Sequence, residues 1–94
     1  MSNIRFVWDP KKNALNIRKH GVSFEEAQTV FYDEYAELIP DPDHSGEEDR
    51  FVIIGRSIRL RVLVVCHCYR EDGELIRIIS ARKATKFEQR FYRG

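Results

Sequence analysis

The segment Leu75–Tyr92, LIRIISARKATKFEQRFY, decides the fold that we predict for this chain. Its first half is rich in isoleucine, and a short run of β-branched residues is typical of a strand that is largely buried in a sheet. Its second half begins with Thr85 and has Glu88 three residues later, the pattern of a helix capping box. We therefore predict a strand that leads into a short helix. Phe87 and Phe91, four residues apart, would hold that helix against the sheet.

The same end of the chain is basic. From Arg77 to Arg93 there is one acidic residue, Glu88, and there are six cationic side chains: Arg77, Arg82, Lys83, Lys86, Arg90 and Arg93. Eight acidic residues and no lysine or arginine lie between Asp33 and Asp49. The net charge of +1 argues against indiscriminate nucleic-acid binding. The segregation of charge predicts that a polyanion would bind at the basic end, although both runs also fit an ordinary solvated surface.

Length and composition indicate one small folded domain over residues 1–94. Hydrophobic residues make up 43% and charged residues 33%, which excludes disordered and fibrous classes. No apolar run approaches the roughly 20 residues that span a bilayer, and the N-terminus has no apolar signal core. We expect a cytoplasmic protein without a membrane partner. Cys66 and Cys68 point to one face of a strand and are expected to be reduced, buried thiols.

The first half of the chain predicts a strand and two helices. A strand over residues 4–8 precedes a helix from Asp9-Pro10 to His20, since Asp is a good N-cap and Gly21 a good C-cap. Ser23 and Glu26 form a second capping-box pattern. The first helix would bury Ala14, Leu15 and Ile17, and the second would bury Phe24, Ala27, Val30 and Phe31.

The second half predicts an antiparallel sheet. Strands are expected over 35–39, 49–57, 61–70 and 75–82, and Asp72-Gly73 is a strong hairpin signal. The result is an α+β domain: a small antiparallel sheet with two N-terminal helices packed on one face, and a short C-terminal helix. In the hairpin register that follows, Cys68 faces Arg77, His67 faces Ile78 and Val65 faces Ser80. That register puts Arg82 on the same face as His67, but the pattern does not show which face the helices cover.

Metal motifs are incomplete. The loop that starts at Asp41 resembles the first half of a calcium-binding EF-hand loop, but Val52 stands where that motif requires a bidentate glutamate. His67 points away from the two neighbouring cysteines, so a structural zinc site is not expected. We predict no metal and no cofactor.

Arginine in strands is the main functional signal. A charged side chain in a sheet is costly to bury unless a partner neutralises it, and the forked guanidinium suits phosphate oxygens. Each of these arginines could instead be an edge or salt-bridge residue, so the cluster is better evidence than its members. The cluster comprises Arg50, Arg56, Arg70, Arg77 and Arg82.

Over nearly its whole length the chain resembles the BrnT family of bacterial type II toxins, small ribonucleases with a RelE-like fold. The matching pieces are FVWDP at 6–10 with Asn16, KHGVSFEEA at 19–27, Arg50 ahead of IGRS at 54–57, and IISARKA at 78–84 running into Glu88 and Tyr92. Two departures are Leu60, where a glycine is expected before the long strand, and the two cysteines.

The resemblance implies metal-independent cleavage of RNA, with mRNA as the expected substrate, through attack of a ribose 2′-OH on the adjacent phosphate. It implies catalytic roles for Arg56 and Arg82, with Glu88 as a possible base. His67 is a further acid–base candidate because histidine titrates near neutral pH, although a buried structural histidine is the commoner case. RNA-backbone contacts are expected from Arg50, Arg77, Lys83, Lys86 and Arg90.

The resemblance also implies a partner, a ribbon-helix-helix antitoxin that binds operator DNA and masks the basic C-terminal face. Two other functions fit the same residues. One is a non-catalytic DNA-binding regulator that uses the arginines only for backbone contacts. The other is a protein-interaction module whose basic face only docks a partner.

Overall fold

The computed structural model describes residues 4–41 and 50–94. The predicted order of elements is confirmed, with bounds that differ by a few residues. The calcium-like loop lies mostly outside the described residues. The elements are β1 Arg5–Val7, α1 Pro10–His20, α2 Phe24–Thr29, β2 Glu37–Pro40, β3 Phe51–Arg56, β4 Val62–Arg70, β5 Leu75–Lys83 and α3 Lys86–Gln89, with 3₁₀ turns at Val30–Tyr32 and Glu71–Gly73.

The strands form one five-stranded sheet in the order β1-β5-β4-β3-β2. Strands β2 to β5 are antiparallel, as predicted, and β1 adds to β5 as a parallel edge strand. The fold is therefore mixed α+β. No helix in the described parts of the chain is long and apolar enough to cross a membrane.

Helix α2 covers one face of the sheet, which we call the helix face. Phe24, Ala27 and Val30 are fully buried there, as predicted. They form one core cluster with residues of the three central strands and the α1–α2 linker: Val22, Ile53, Leu63, Val65, Ile78 and Ala81. Because most of these side chains are completely removed from water, this cluster supplies the main hydrophobic stabilisation of the domain.

Helix α1 packs differently from the prediction. Its one buried residue is Asn16, whereas Leu15 and Ile17 are 59% and 46% exposed. The Asn16 amide donates to the carbonyl of Ala81 at 2.7 Å and to that of Val22 at 2.8 Å, and its oxygen accepts from the Ala81 N–H. β1 pairs with β5 only as far as Arg77, so Ala81 lies on an uncovered strand edge. Helix α1 docks on that edge through an amide because unpaired backbone groups there need partners.

The predicted helix caps at Asp9, Gly21, Ser23 and Thr85 are all confirmed, and one of the two predicted capping boxes is incomplete. Asp9 caps α1 and Gly21 ends it in the left-handed conformation, while Ser23 caps α2. The expected capping box of α2 is incomplete because the Glu26 carboxylate binds elsewhere. This carboxylate accepts hydrogen bonds from Ser57 Oγ at 2.6 Å and from the guanidinium of Arg61. The Arg61 hydrogen bond is the main cause that lowers the pKa of Glu26. Glu26 thus ties α2 to the β3–β4 turn.

The β4–β5 hairpin carries a bulge that changes the predicted register. Cys68 faces Arg77 and His67 faces Ile78, as predicted, but Cys66 then faces Ser80. Ile79 is the extra residue, so every later side chain of β5 points to the opposite face from the one predicted. Arg82 therefore lies on the face away from α2, which we call the open face.

We predict that Asn16→Ala lowers the free energy of unfolding by about 2 kcal/mol, because it leaves the buried N–H and C=O of Ala81 without their partner. Urea denaturation followed by circular dichroism measures this. Leu15→Ala is the matched control on the same helix and should change stability by less than about 0.5 kcal/mol, since Leu15 is exposed. Equal stability of the two variants would contradict the edge-docking role of Asn16.

We also predict that Leu60→Gly raises the free energy of unfolding by roughly 0.5–1 kcal/mol. Leu60 is 77% exposed and has a φ of 63° in the β3–β4 turn, where glycine avoids the steric cost of a side chain. Ile58 is equally exposed in the same turn, without a positive φ, so Ile58→Gly should not stabilise. Thermal unfolding of both variants is the measurement, and a lower midpoint for Leu60→Gly would contradict the prediction.

Candidate nucleic-acid interface on the open face

An ion pair between Arg82 and Glu88 is the best-defined feature of the open face. The two guanidinium nitrogens of Arg82 donate to the two carboxylate oxygens of Glu88 at 2.6 and 2.7 Å. Both groups are partly exposed, with 41% of the arginine and 24% of the glutamate side chain accessible. The Arg82 hydrogen bond is the main cause that lowers the pKa of Glu88 to about 2. Glu88 is therefore fully ionised at neutral pH and is a weak base.

The start of α3 fixes this pair. The predicted capping box is confirmed: the Thr85 hydroxyl accepts from the Glu88 N–H, and the Glu88 carboxylate accepts from the Thr85 N–H at 2.9 Å. One carboxylate thus caps the helix and orients Arg82. The prediction that Phe87 and Phe91 anchor α3 to the sheet is wrong. The centroids of the two rings lie 5.6 Å apart, and the two residues are 63% and 52% exposed.

A second cationic group is built on Arg56 at the end of β3. Its guanidinium lies over the ring of Tyr92, 5.6 Å from the centroid, and its backbone N–H donates to Asp33 at 2.7 Å. The Tyr92 hydroxyl donates to the same Asp33 oxygen at 2.6 Å. Burial alone would raise the pKa of Asp33, but the bonds from Tyr92 and from backbone N–H groups lower it. Asp33 is thus an ionised anchor for Arg56 and Tyr92.

The two groups share the open face. Arg82 is opposite Val64, Val64 is opposite Ile54, and Arg56 follows Ile54 by two residues on the same face. Two strand spacings, roughly 10 Å, therefore separate the two arginines across the sheet, and their two-residue offset adds roughly 7 Å along the strands. Tyr92 packs on the apolar floor between them, next to Ile54 and Val64. An extended polyanion can reach both arginines at once.

Four of the other predicted RNA-binding residues lie near this pair or at the far end of the face. Lys86 and Arg90 are exposed in α3 and directly after it. Lys83 is exposed too, but it alternates with Arg82 and pairs with the core residue Leu63, so it points toward the helix face. Arg50 precedes β3 and Arg77 faces Cys68, so both lie toward the opposite end of the strands. The open face therefore carries positive charge at both ends, with the densest group near α3.

The structure does not bring His67 to the arginines. His67 is fully buried on the helix face, where Nδ1 lies 3.1 Å from the Val65 carbonyl and Nε2 lies 3.2 Å from the Tyr69 hydroxyl. Its ring packs against the edge of Phe31 at 4.7 Å, and burial lowers its pKa. The predicted register placed His67 on the same face as Arg82 because it contained no bulge.

Two site residues had no assigned role at the sequence level. Asp33 belongs to the acidic run and looked like solvated surface, although its oxygens organise Arg56 and Tyr92. Tyr92 was noted only as part of the family resemblance. A carboxylate just after a helical segment and a tyrosine near the C-terminus carry no local signal for a contact 59 residues apart.

The described residues contain no group of three or more His, Cys, Asp or Glu side chains that could hold a metal ion. The thiols of Cys66 and Cys68 form no disulfide, and burial is the main cause that raises the pKa of Cys66 to about 11. The chemistry available on the open face is therefore that of fixed guanidinium groups, amines, a tyrosine and ionised carboxylates.

A face that carries two partly exposed arginines, Arg56 and Arg82, on a small α+β sheet suits a protein that acts on a polyanion. The family model described as ribonuclease toxin, BrnT, of type II toxin-antitoxin system matches residues 8–88. The chain belongs to this family of ribonuclease toxins. Family membership implies an RNA substrate and an antitoxin partner.

The comparison with solved structures also finds a toxin of this family. The fold is similar to the 1.1 Å crystal structure of the Brucella abortus ribonuclease toxin BrnT, with a TM-score of 0.68 and 26% sequence identity. The similarity covers 88% of this chain and 99% of the Brucella chain. A comparison with curated proteins found no match.

We predict that the Glu88 carboxyl titrates near pH 2, as measured by its side-chain carbon chemical shift in NMR. Because the pKa in the folded protein is below the usual 4.5, the pair's contribution to stability is full above about pH 4.5 and is lost as pH falls toward 2. Arg82→Ala should move the titration midpoint up toward 4.5. Lys83→Ala, which removes a neighbouring charge not bonded to Glu88, should move it little. A wild-type midpoint near 4.5 would contradict the ion pair.

Proposed function

We propose that this protein is a metal-independent endoribonuclease that cleaves mRNA at the Arg56–Arg82 surface of its open face. The observation that carries the proposal is the pair of arginines held on one accessible face, one by the Glu88 carboxylate and one by Asp33 and Tyr92. Guanidinium groups in fixed positions stabilise the charge of a pentacoordinate phosphorane because they need no reorganisation as the charge develops.

The proposed reaction is an internal transfer. The ribose 2′-oxygen forms a bond to the adjacent phosphorus while the bond from phosphorus to the 5′-oxygen breaks. The 2′-hydroxyl proton passes to a solvent water molecule, and the departing 5′-oxygen takes up a proton from another. The products are an RNA with a 2′,3′-cyclic phosphate and an RNA with a 5′-hydroxyl.

In this proposal Glu88 is a positioning residue. Both of its oxygens are occupied by Arg82, and one also accepts the Thr85 N–H. A carboxylate with a pKa of about 2 binds a proton poorly, so its function is to hold Arg82 in a defined orientation. His67 has no part in the proposed reaction because it is buried on the helix face.

The flanking cations bind the RNA backbone. Lys86 and Arg90 would contact phosphates on the α3 side, and Arg50 and Arg77 would contact them toward the other end of the sheet. Lys83 has no part in the proposed surface because it points to the other side of β5 from Arg82. Glu88 is engaged with Arg82 and Asp33 with Tyr92, so the proposal assigns the neutralisation of phosphate to Arg56 and to the exposed part of Arg82 rather than to a carboxylate-bound metal. This is the support for cleavage without a metal.

The antitoxin belongs to the same proposal. We infer that it is a ribbon-helix-helix protein that covers the basic C-terminal part of the open face and carries the complex to operator DNA. Occlusion requires contact with this surface, because the proposed site is there. The RelE-like classification of the fold and action in the cytoplasm, where mRNA is found, complete the proposal.

Arg82→Ala and Arg56→Ala should each reduce RNA cleavage by at least about 100-fold, because each removes a donor to the phosphorane. Both should also relieve growth arrest on induced expression. The measurement is cleavage of a single-stranded RNA by purified protein, alongside growth and total RNA in cells. Arg18→Ala, which removes one exposed arginine from α1, is the control with the same loss of charge and should keep wild-type activity.

Circular dichroism separates loss of activity from loss of folding. If wild type binds RNA and DNA in a salt-dependent manner but cleaves neither, the non-catalytic regulator replaces the nuclease. If wild type neither binds nucleic acid nor arrests growth, the result favours the protein-interaction module over the nuclease. Full activity of the folded Arg82→Ala variant would contradict the assignment of the cleavage site to the Arg56–Arg82 surface.

A further inference from the structure

A cleft lined by tyrosines lies beside Arg56. Its volume is about 680 Å³, within the range of about 300–1,000 Å³ that is typical of small-molecule pockets. Tyr32, Tyr35 and Tyr92 are among its lining residues, together with Arg56. We call this feature the tyrosine cleft.

Two tyrosines of the cleft are largely exposed. Tyr32 and Tyr35 are 69% and 55% exposed, and the Tyr32 ring also lies 6.2 Å, centroid to centroid, from the ring of Phe6. The two tyrosines flank Asp33, the residue that orders Arg56 and Tyr92. The same short segment therefore places two exposed aromatic faces and organises the neighbouring cation. Any of the four RNA bases can stack on such a ring, so this contact does not depend on the RNA sequence.

The charges in the cleft determine which part of a nucleotide fits. Asp33 and Glu34 line the cleft and would repel a phosphate that entered deeply. Arg56 attracts a phosphate at the border with the Arg82 surface. A nucleotide is thus oriented with its neutral base among the tyrosines and its phosphate against Arg56.

We propose that the tyrosine cleft is a subsite for one unpaired RNA base, carried by a nucleotide whose phosphate contacts Arg56. This inference rests on the proposed function and adds that the substrate is single-stranded at the cleavage site. A base in a duplex is stacked between its neighbours and cannot enter the cleft without being extruded.

The test uses a fluorescein-labelled hexamer of 2′-O-methyl RNA, which cannot be cleaved by 2′-hydroxyl attack, and compares its single strand with its duplex. Binding is measured by fluorescence anisotropy at fixed salt. The double variant Tyr32→Leu, Tyr35→Leu should bind the single strand about 10-fold more weakly, since it loses stacking surface, and should bind the duplex as wild type does. The matched double variant Tyr32→Phe, Tyr35→Phe keeps both rings and should bind the single strand within about twofold of wild type.

Several results would overturn the inference: undetectable binding of the single strand by wild type, unchanged binding by the folded leucine variant, or an equal loss for single strand and duplex. Cleavage assays keep this failure separate from failure of the proposed function. Wild type that cleaves RNA while the leucine variant binds normally would overturn the base subsite alone. Tyrosine-dependent binding without cleavage would uphold the subsite and remove the nuclease.

Discussion

One extra residue in β5 determines on which side of the sheet the guanidinium of Arg82 lies. The bulge at Ile79 lets Ala81 point into the core and Arg82 point to the open face. Without it, strict alternation would bring the guanidinium of Arg82 to the apolar helix face, where burial of an unpaired charge is very unfavourable. Because the pairing of β1 with β5 ends at Arg77, the backbone of Ala81 lies on a strand edge, which the amide of Asn16 completes. The segment just after the bulge thus carries both the docking point of α1 and the arginine of the proposed site.

Local patterns predicted what depends on neighbours in sequence. The caps at Asp9, Gly21 and Thr85, the order of elements and the hairpin register as far as Ile78 follow from short-range hydrogen bonding and turn chemistry. The bulge was not predictable in the same way, because period-two alternation contains no extra residue. The burial of Asn16 in place of Leu15 was missed since its partner lies 65 residues away.

The candidate site shows the same difference between features that local sequence predicts and features that depend on distant residues. Arg56, Arg82 and Glu88 were predicted as site residues from the arginine pattern and the family resemblance, but no local pattern indicated that Glu88 would orient Arg82 as well as cap α3. His67 was a reasonable acid–base candidate by residue type, yet tertiary packing places it against Phe31 in the core. The link from Asp33 to Arg56 and Tyr92 joins three distant segments, and only the folded chain reveals it.

The most direct test of the central claim is the chemistry of the cut ends. Purified protein is incubated with a defined single-stranded RNA in excess EDTA, and the product termini are identified by mass spectrometry. Cleavage through the Arg56–Arg82 surface predicts 2′,3′-cyclic phosphate and 5′-hydroxyl ends, at a rate that EDTA does not change. Ends with a 5′-phosphate, or cleavage that EDTA abolishes, would contradict an arginine-based internal transfer.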